Sequence, residues 1–489
     1  MLDAQDRAWY AALKAKDARF DGRFFVGVSS TGIYCRPVCR AKLPKPENCS
    51  FYTSAASAEQ AGFRPCLLCR PELAPGAAPV DATGSLAQRA ARLLEENCGS
   101  GQTLEEFVIR LGCSDRHLRR AFAKEYSVSP VQYLQTCRLL LAKSLLTDTK
   151  LSILDIAMAS GFGSLRRMND LFKKQYRLAP SALRRQLETL PQNDNITLAL
   201  GFRPPYQWKQ MLNFLSARAM PGVELVRGNE YVRTVQLVKE DEKRVCGWVR
   251  IGLHPQNNTL AVTINSALLS VLPQVLARVR HLFDLHCDPA AVHEALKTIN
   301  EIRPGVCALG TRLPGCFDAF EMTVQAILGQ QATVKAANAL AGKFVESFGT
   351  PVATEIKQLT HVFPAPCDIT ALGGAIVDRL ALIGISAAQA NSILALARAF
   401  EQKEVDFNSY ASAELELQKL LNLPGIGPIT PWTAQYIAMR AMAWPDAFPH
   451  TDHEVKKALG SYTEKEILSM AETWRPWRSY AAINLWNSL

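Results

Sequence analysis

The distribution of apolar positions changes along the chain and predicts different elements in different parts. Near the middle, runs of β-branched and alternating apolar residues predict three strands, at 196–200, 231–238 and 259–265. An apolar pattern with helical spacing lies near 208–217. From about residue 306 onward the pattern is helical and is interrupted by short Pro/Gly turns. A mixed α+β segment is therefore expected, followed by an all-α segment.

A second pattern, an internal repeat with an offset of 50 residues, places 113–130 over 163–180. Capping patterns and a glycine turn predict two helices in each copy. The capping pairs are Thr103 with Glu106 and Ser152 with Asp155, the turns are at Gly112 and Gly161, and Ser114 and Ser164 can cap the second helices. The expected core residues are Leu118, Phe122, Met168 and Phe172. The pattern favours a helix-turn-helix written twice, and a plain three-helix packing unit is the alternative.

The length of 489 residues suggests about three domains. Two segments with loop composition, 73–85 and 187–195, predict linkers between them. No apolar run reaches the ~18 residues of a membrane span, and the first ten residues lack the features of a signal peptide. The sequence therefore predicts a cytoplasmic protein that does not enter a membrane.

Charge is distributed unevenly along this sequence. Residues 1–190 contain 28 Lys and Arg against 18 Asp and Glu, so the whole formal net charge of +10 lies in this part. A basic block favours a polyanionic partner, because binding to phosphates releases counterions. A solvated basic surface is the alternative.

Four of the 13 cysteines form two close pairs with the spacing CxxxC, 26 residues, CxxC. They are Cys35, Cys39, Cys66 and Cys69. An odd number of cysteines in a long chain without an export signal argues against a disulfide framework. Four thiolates complete the tetrahedral shell that zinc prefers, so we expect one Zn²⁺ here. Spacing alone favours a structural zinc site, with redox chemistry as the alternative.

The segments TGIYCRPVCRAK and SFYTSAASAEQAGFRPC resemble the N-terminal domain of the Ada alkylation-response regulator over residues 1–75. In that family the first cysteine is both a zinc ligand and the irreversible acceptor of a methyl group from a DNA methylphosphotriester, which implies this role for Cys35. Methylation removes one negative charge from a cluster of formal charge about −2, and DNA then binds more tightly. The resemblance also implies phosphate neighbours at Thr31, Arg36, Arg40, Lys42 and Arg64.

The repeated block, 86–186, resembles an AraC-type DNA-binding domain. Two recognition helices of such a domain enter successive segments of the major groove about one helical turn apart. The arginines expected to face DNA are Arg116, Arg119, Arg166 and Arg167.

The rest of the chain is similar to the AlkA-type 3-methyladenine DNA glycosylases in RPPYQW, FDLHCDP, LPGCFDAFE, AILGQQ and RPWRSYAAINLW. The resemblance implies a helix-hairpin-helix at LPGIG, whose Gly425 and Gly427 approach a DNA phosphate, and Asp452 as the catalytic carboxylate. A fixed carboxylate can stabilise the oxocarbenium character that develops on the sugar. The implied pocket aromatics are Phe214, Trp432, Tyr436 and Trp486, and Gln331 is the residue that plugs the vacated base stack.

Three departures from the glycosylase pattern bear on this expectation. The hairpin reads PGIGPITPWTA, three residues longer than usual, which could displace Trp432 or disturb the phosphate contact. His453 replaces a tyrosine, and Gln331 stands where some relatives have leucine. Neither Ile429 nor Trp432 is the lysine that lyase-active members carry, so we expect base removal without strand cleavage.

The expected fold is multidomain. It comprises an α+β zinc domain at 1–75, an all-α double helix-turn-helix domain at 86–186, an α+β domain at 196–305 and an all-α helix-hairpin-helix domain at 306–489. The expected partners are double-stranded DNA and the transcription machinery, with the chain as a monomer. A DNA-binding regulator with a silent glycosylase-like domain is the alternative. An Ada-like O6-methylguanine transferase is discarded, because its PCH motif is missing.

Overall fold

The computed structural model describes residues 4–76, 86–100, 102–184, 195–239, 242–330, 332–407, 413–427, 429–460 and 462–489. The predicted linkers fall mostly outside these ranges, and Gln331 lies outside them entirely. Within the described ranges, no helix is long and apolar enough to cross a bilayer.

The first block is a small α+β unit. It contains helices α1 (Ala4–Ala15) and α2 (Ala55–Gln60) and strands β1 (Phe25–Val28), β2 (Ile33–Cys35), β3 (Cys49–Tyr52) and β4 (Arg64–Pro65). The strand order is β3-β1-β2-β4, and only β2 and β4 pair in parallel. Because parallel neighbours end at the same edge of a sheet, Cys35 at the end of β2 and Cys66 directly after β4 emerge side by side.

The second block is all-α. Its helices are α3 (Leu86–Glu96), α4 (Leu104–Arg110), α5 (Asp115–Tyr126), α6 (Pro130–Asp148), α7 (Ile153–Ala159), α8 (Leu165–Tyr176) and α9 (Pro180–Arg184). The predicted caps at Thr103, Ser114, Ser152 and Ser164 are all formed, each by a side-chain oxygen that accepts a backbone N–H. The four predicted core residues are buried. Pairs α4–α5 and α7–α8, joined by the long α6, confirm the repeated helix-turn-helix.

The third block begins with a five-stranded antiparallel sheet in the order β5-β9-β8-β7-β6. Its elements are β5 (Asn195–Gly201), α10 (Trp208–Arg218), β6 (Glu224–Arg227), β7 (Glu230–Val238), β8 (Arg244–His254) and β9 (Thr259–Asn265). The three predicted strands and the predicted helix are confirmed. Sequence analysis missed the central strand β8, because buried residues on both of its faces, at Gly247, Trp248 and Val249, interrupt the alternation.

Helices make up nearly all the remainder. They are α11 (Leu272–Leu282), α12 (Pro289–Leu296), α13 (Ile299–Ile302), α14 (Ala319–Leu328), α15 (Val334–Phe348), α16 (Pro366–Thr370), α17 (Ala375–Ala381), α18 (Ala387–Glu401), α19 (Ala413–Leu421), α20 (Pro431–Arg440), α21 (His453–Leu459), α22 (Glu464–Glu472) and α23 (Arg478–Trp486). One short unpredicted hairpin, β10 (Thr350–Pro351) with β11 (His361–Val362), interrupts them. Helices α20, α21 and α23 pack around the segment that carries Asp452.

Glu59, on α2, joins the first block to the second. Its buried carboxylate accepts hydrogen bonds from the hydroxyls of Tyr34, Thr136 and Tyr176, at 2.9–3.1 Å. Tyr34 directly precedes Cys35, whereas Thr136 lies on α6 and Tyr176 ends α8. The cysteine-bearing block is therefore fixed against the connecting helix and the second helix-turn-helix.

The first and third blocks also touch. Arg23 forms an ion pair with Asp288, which caps α12. The buried Arg203 donates to the carbonyls of Gly76 and His286 at 2.7 and 2.9 Å. All three blocks therefore pack as one body.

The acidity of Glu59 yields a pH-dependent prediction. Burial raises the pKa of this carboxyl to about 7, although its three hydroxyl donors act in the opposite direction. The folded chain therefore binds more protons than the unfolded chain between the ordinary glutamate pKa and about 7, so stability from this group falls as pH rises through that window. We expect Glu59→Gln to raise the thermal midpoint by a few degrees at pH 8. The gain should shrink toward pH 5.

Differential scanning fluorimetry across pH 5–8 measures this effect. Glu47→Gln, at an exposed position of the same block, is the matched control and should follow wild type throughout. Parallel pH profiles for Glu59→Gln and wild type would contradict the assignment.

Candidate metal centre and base-binding pocket

The four predicted cysteine ligands meet at one point. All Sγ atoms of Cys35, Cys39, Cys66 and Cys69 lie within 4.8 Å of one another. An ideal tetrahedral zinc site with Zn–S bonds of ~2.3 Å has sulfur atoms ~3.8 Å apart. Donors of this chemistry at this separation fit a closed four-thiolate zinc site. Cys49 is not one of the four; it is buried with Leu13 and Val26 in a small apolar cluster against which Cys35 also packs.

One backbone amide distinguishes the two partly exposed sulfur atoms of the cluster. Cys39 and Cys66 are buried, whereas Cys35 and Cys69 are partly exposed. The Arg36 amide donates to Cys69 Sγ at 3.3 Å. No amide of the described residues donates to Cys35 Sγ. A hydrogen bond to a thiolate stabilises its charge and lowers its nucleophilicity. Cys35 is therefore the partly exposed thiolate whose charge no such bond stabilises.

The five predicted phosphate neighbours divide into two groups. Thr31, Arg40 and Lys42 are exposed on the cysteine-bearing block, and Arg64 on β4 is half-buried. The guanidinium of Arg36 instead pairs with the buried Asp21 and donates to the Cys69 carbonyl at 3.1 Å. In this conformation Arg36 therefore supports the cysteine site from within.

The predicted DNA-facing arginines lie on the first two turns of α5 and α8. Arg116, Arg119, Arg166 and Arg167 are all exposed. Arg119 pairs with Asp115 at 2.7 Å, and Arg166 lies 3.9 Å from Asp170. Exposed ion pairs of this kind are weak and can exchange for phosphate contacts. Both second helices thus present a basic outer face.

The four predicted aromatics form one continuous wall. Trp432 stacks on Tyr436 with ring centroids 4.9 Å apart, and Phe214 stacks on Trp486 at 6.2 Å. The Tyr436 and Trp486 rings, 6.3 Å apart, join the two pairs. Phe214 and Tyr436 are buried, whereas both tryptophans are half-buried. Such a wall can stack on a flat cationic base.

Asp452 lies at the edge of this wall, as the N-cap of α21. Oδ1 accepts from the Val455 amide and from Trp486 Nε1, both at 2.9 Å, and Oδ2 accepts from Trp432 Nε1 at 2.5 Å. Three N–H donors hold the carboxylate in one orientation. The hairpin insertion therefore leaves Trp432 in contact with Tyr436 and Asp452.

Two arginines that sequence analysis missed contact the aromatic wall. Arg218 Cζ lies 3.8 Å from the Phe214 ring centroid. The buried Arg440 donates to the Tyr436 hydroxyl at 2.7 Å and to the Gly315 carbonyl at 2.9 Å. Burial raises the pKa of Tyr436, but the charges of Arg440 and Arg218 outweigh it and the net pKa is lowered. Isolated arginines in apolar helices gave no periodic signal that could have identified them.

The two hairpin glycines face different ways. Gly425 is exposed, with φ +82°, and Gly427 is half-buried with its amide 2.8 Å from Ser392 Oγ. His453, which stands where the glycosylase pattern has a tyrosine, is exposed at the first position of α21.

Known protein families match the chain in four consecutive parts. The models are the metal binding domain of Ada at 8–72, a helix-turn-helix domain at 108–186, the AlkA N-terminal domain at 197–318 and the HhH-GPD superfamily of base excision DNA repair proteins at 324–478.

Curated relatives match the whole chain and its parts. A probable bifunctional transcriptional activator/DNA repair enzyme AlkA of Mycobacterium tuberculosis is 34% identical over 98% of this chain and 96% of its own. DNA-3-methyladenine glycosylase 2 of Escherichia coli is 34% identical over 59% of this chain and 95% of its own. The bifunctional transcriptional activator/DNA repair enzyme Ada of Escherichia coli is 39% identical over 27% of this chain and 36% of its own.

Proposed function

We propose a function from the premise that this chain belongs to the family of bifunctional transcriptional activators and DNA repair enzymes that join an Ada-type zinc domain to a glycosylase. It binds DNA, carries zinc on its cysteine cluster and combines adaptive-response regulation with glycosylase repair. The assignment of individual residues and the detailed chemistry below are our proposals.

The glycosylase hydrolyses the N-glycosidic bond of alkylated purines such as 3-methyladenine. Trp432, Tyr436, Phe214 and Trp486 receive the flipped cationic base, which is already a good leaving group. As the bond to C1′ breaks, its electron pair stays on the cationic base, which leaves as a neutral molecule, while the Asp452 carboxylate stabilises the positive charge on the sugar and positions water. The water oxygen bonds to C1′ and releases its proton to solvent, leaving an abasic site. The observation that carries this proposal is the contact of the Asp452 carboxylate with both pocket tryptophans.

The testing experiment is release of 3-methyladenine from methylated duplex DNA by the full chain, followed by chromatography of the free bases. The same DNA is then analysed for strand breaks, because the absence of a lysine at Ile429 or Trp432 supports a monofunctional enzyme. Released base with intact abasic strands is the expected result. No release would favour the regulator with a silent glycosylase domain.

The hydrogen bonds from the Trp432 and Trp486 indole N–H groups to Asp452 can be tested separately. Trp432→Phe and Trp486→Phe keep an aromatic face but remove the donor to Asp452, so each should lower kcat about tenfold while KM changes little. Single-turnover base release measures this effect. Trp444→Phe, at a half-buried tryptophan not among the contacts of Asp452 described above, is the control. Unchanged kcat in both donor variants would show that the indole bonds do not orient the carboxylate.

The zinc domain accepts a methyl group on Cys35. The thiolate attacks the methyl carbon of a DNA methylphosphotriester, the S–C bond forms, and the C–O bond breaks with its electron pair left on the phosphodiester. Bound zinc keeps the thiolates deprotonated at neutral pH. Support for Cys35 comes from its partial exposure and from the Arg36 amide bond to Cys69, the other partly exposed cysteine of the cluster.

Methylation of Cys35 also acts as the regulatory signal. The zinc cluster loses one negative charge and DNA binding tightens, after which Arg116, Arg119, Arg166 and Arg167 on the outer faces of the helix-turn-helix units hold a promoter. The bound chain, acting as a monomer, then recruits the transcription machinery.

A further inference from the structure

A cavity of about 270 Å³ lies where the three blocks meet. Its walls come from the start of α2 and the turn after the cysteine cluster, from α3 and α6, and from β5 and α11. Part of the lining is apolar and consists of Leu140, Leu141, Leu198, Leu276 and Leu285. Since one water molecule needs only ~10–15 Å³ of such space, the cavity has room for a small organic molecule.

Two arginines in the wall of this cavity have no bonded partner. Arg92 on α3 and Arg280 on α11 form no hydrogen bond or ion pair with any residue that the structure describes. Burial lowers the pKa of both guanidinium groups, whereas the charge of Glu95 acts in the opposite direction on each. A buried cation without a bonded partner costs free energy, so an anion bound between these groups would remove an existing cost.

The other titratable groups of the described lining leave the wall with a net positive charge. Glu72 forms ion pairs with Lys143 at 2.6 Å and with Arg70 at 3.0 Å, so its charge is already compensated. His286 is uncharged at neutral pH, because burial lowers its pKa well below the ordinary value. The carboxylate of Glu95 therefore stands alone against the two guanidinium groups.

The chemistry of the wall favours one class of anion. Guanidinium groups form paired N–H bonds with phosphate oxygens, and a phosphate offers enough acceptor oxygens for two of them. Tyr126 and Tyr133, whose rings lie 5.1 Å apart, line the same cavity and offer flat surfaces to an organic ring. The cavity is enclosed between the three blocks, so the phosphates of a DNA duplex cannot occupy it.

We propose that this cavity binds a small organic phosphate, such as a nucleoside monophosphate or a sugar phosphate, with the phosphate group on Arg92 and Arg280. Because the walls come from all three blocks, the occupant stabilises the arrangement in which the zinc block and the helix-turn-helix block pack against the glycosylase. The inference goes beyond the proposed function and does not depend on it.

Isothermal titration calorimetry of the zinc-loaded full chain tests the proposal, in a buffer without phosphate. The probes are adenosine monophosphate and ribose 5-phosphate, and adenosine is the comparison without a phosphate group. One molecule of at least one phosphate probe should bind per chain, and the thermal midpoint should rise with its concentration. Adenosine should bind at least tenfold more weakly than adenosine monophosphate. Failure of both phosphates to bind, or equal binding of adenosine and its monophosphate, would overturn the proposal.

Substitutions then locate the bound phosphate. Arg92→Met and Arg280→Met should each weaken its binding roughly ten- to hundredfold, the loss typical of charge-assisted hydrogen bonds. Arg227→Gln, at an exposed position of β6 outside the cavity lining, is the matched control and should bind like wild type. Wild-type affinity in both methionine variants would place the phosphate elsewhere, for example on the DNA-binding faces, and would overturn the proposal. Saturating duplex DNA should accordingly leave the affinity of the wild-type chain unchanged.

The stability of the same variants without any probe gives a second readout. Removing an unpaired buried cation should leave the thermal midpoint at or above that of wild type. A midpoint several degrees lower in both methionine variants would show that the protein itself holds these guanidinium groups, and would contradict a ligand site. None of these measurements uses base release, so a chain that releases no 3-methyladenine still tests the cavity.

Discussion

Asp452→Asn is expected to lower the rate of 3-methyladenine release by roughly 10²–10³-fold, the loss typical of removing one preorganised electrostatic group from a transition state. Asparagine has nearly the same shape but no charge, so it cannot stabilise the developing cation on the sugar. Its amide NH₂ must also face one of two indole donors, Trp432 Nε1 or Trp486 Nε1, which now meet the carboxylate. Single-turnover kinetics on methylated duplex DNA measure the change.

Folding and binding controls isolate the chemistry in this experiment. Asparagine can still cap α21 through the Val455 amide, so the thermal midpoint should stay near that of wild type. Affinity for duplex with an abasic analogue should also persist. Asp446→Asn is not a suitable comparison, because Asp446 holds Arg475 and Arg478. Asp378→Asn serves instead, at an exposed position of α17 that is not among the contacts of Asp452 described above. Release by Asp452→Asn at the wild-type rate would remove Asp452 from the mechanism.

Local patterns in the sequence were sufficient to predict much of this fold. The two cysteine pairs predicted the cluster, because a four-thiolate metal site commonly takes its ligands from two pairs of cysteines that are each only a few residues apart. The capping residues and the 50-residue repeat predicted the helix-turn-helix units, including the buried Phe122 and Phe172. The strand β8 was missed because a central strand lacks the alternation of a half-exposed one.

Contacts between distant segments could not be predicted in the same way. The interior bonds of Glu59 connect residues 77 and 117 positions apart along the chain, to Thr136 and Tyr176. Arginine is a common phosphate ligand, so the sequence favoured that role for Arg36. Only the ion pair with Asp21 shows that the Arg36 side chain faces inward. Similarly, the PGIG motif gives no reason to expect different surroundings for Gly425 and Gly427. The Gly427 amide donates to Ser392, 35 residues earlier in the chain, and the sequence does not show this contact.

Cys35→Asp is expected to abolish methyl uptake from DNA methylphosphotriesters while a carboxylate still ligates zinc. The reason is chemical: a zinc-bound carboxylate is a far weaker nucleophile toward a methyl carbon than a thiolate. Methylated duplex DNA is incubated with the chain, and the mass of the intact protein and of its cysteine peptides is measured. Wild type should gain one methyl group, on Cys35.

Cys69→Asp is the matched control, because Cys69 is also a partly exposed member of the cluster. Both variants replace one of four thiolates, so zinc content and thermal midpoint should change alike. Only Cys69→Asp should keep its methyl acceptor, since Cys35 remains and no described amide donates to it. Methyl groups on Cys69 in wild type, or uptake by Cys35→Asp, would show that exposure and amide bonding do not select the nucleophile. Loss of uptake in Cys69→Asp with full zinc content would instead mean that the reactivity of Cys35 requires sulfur ligands at all three other positions of the cluster.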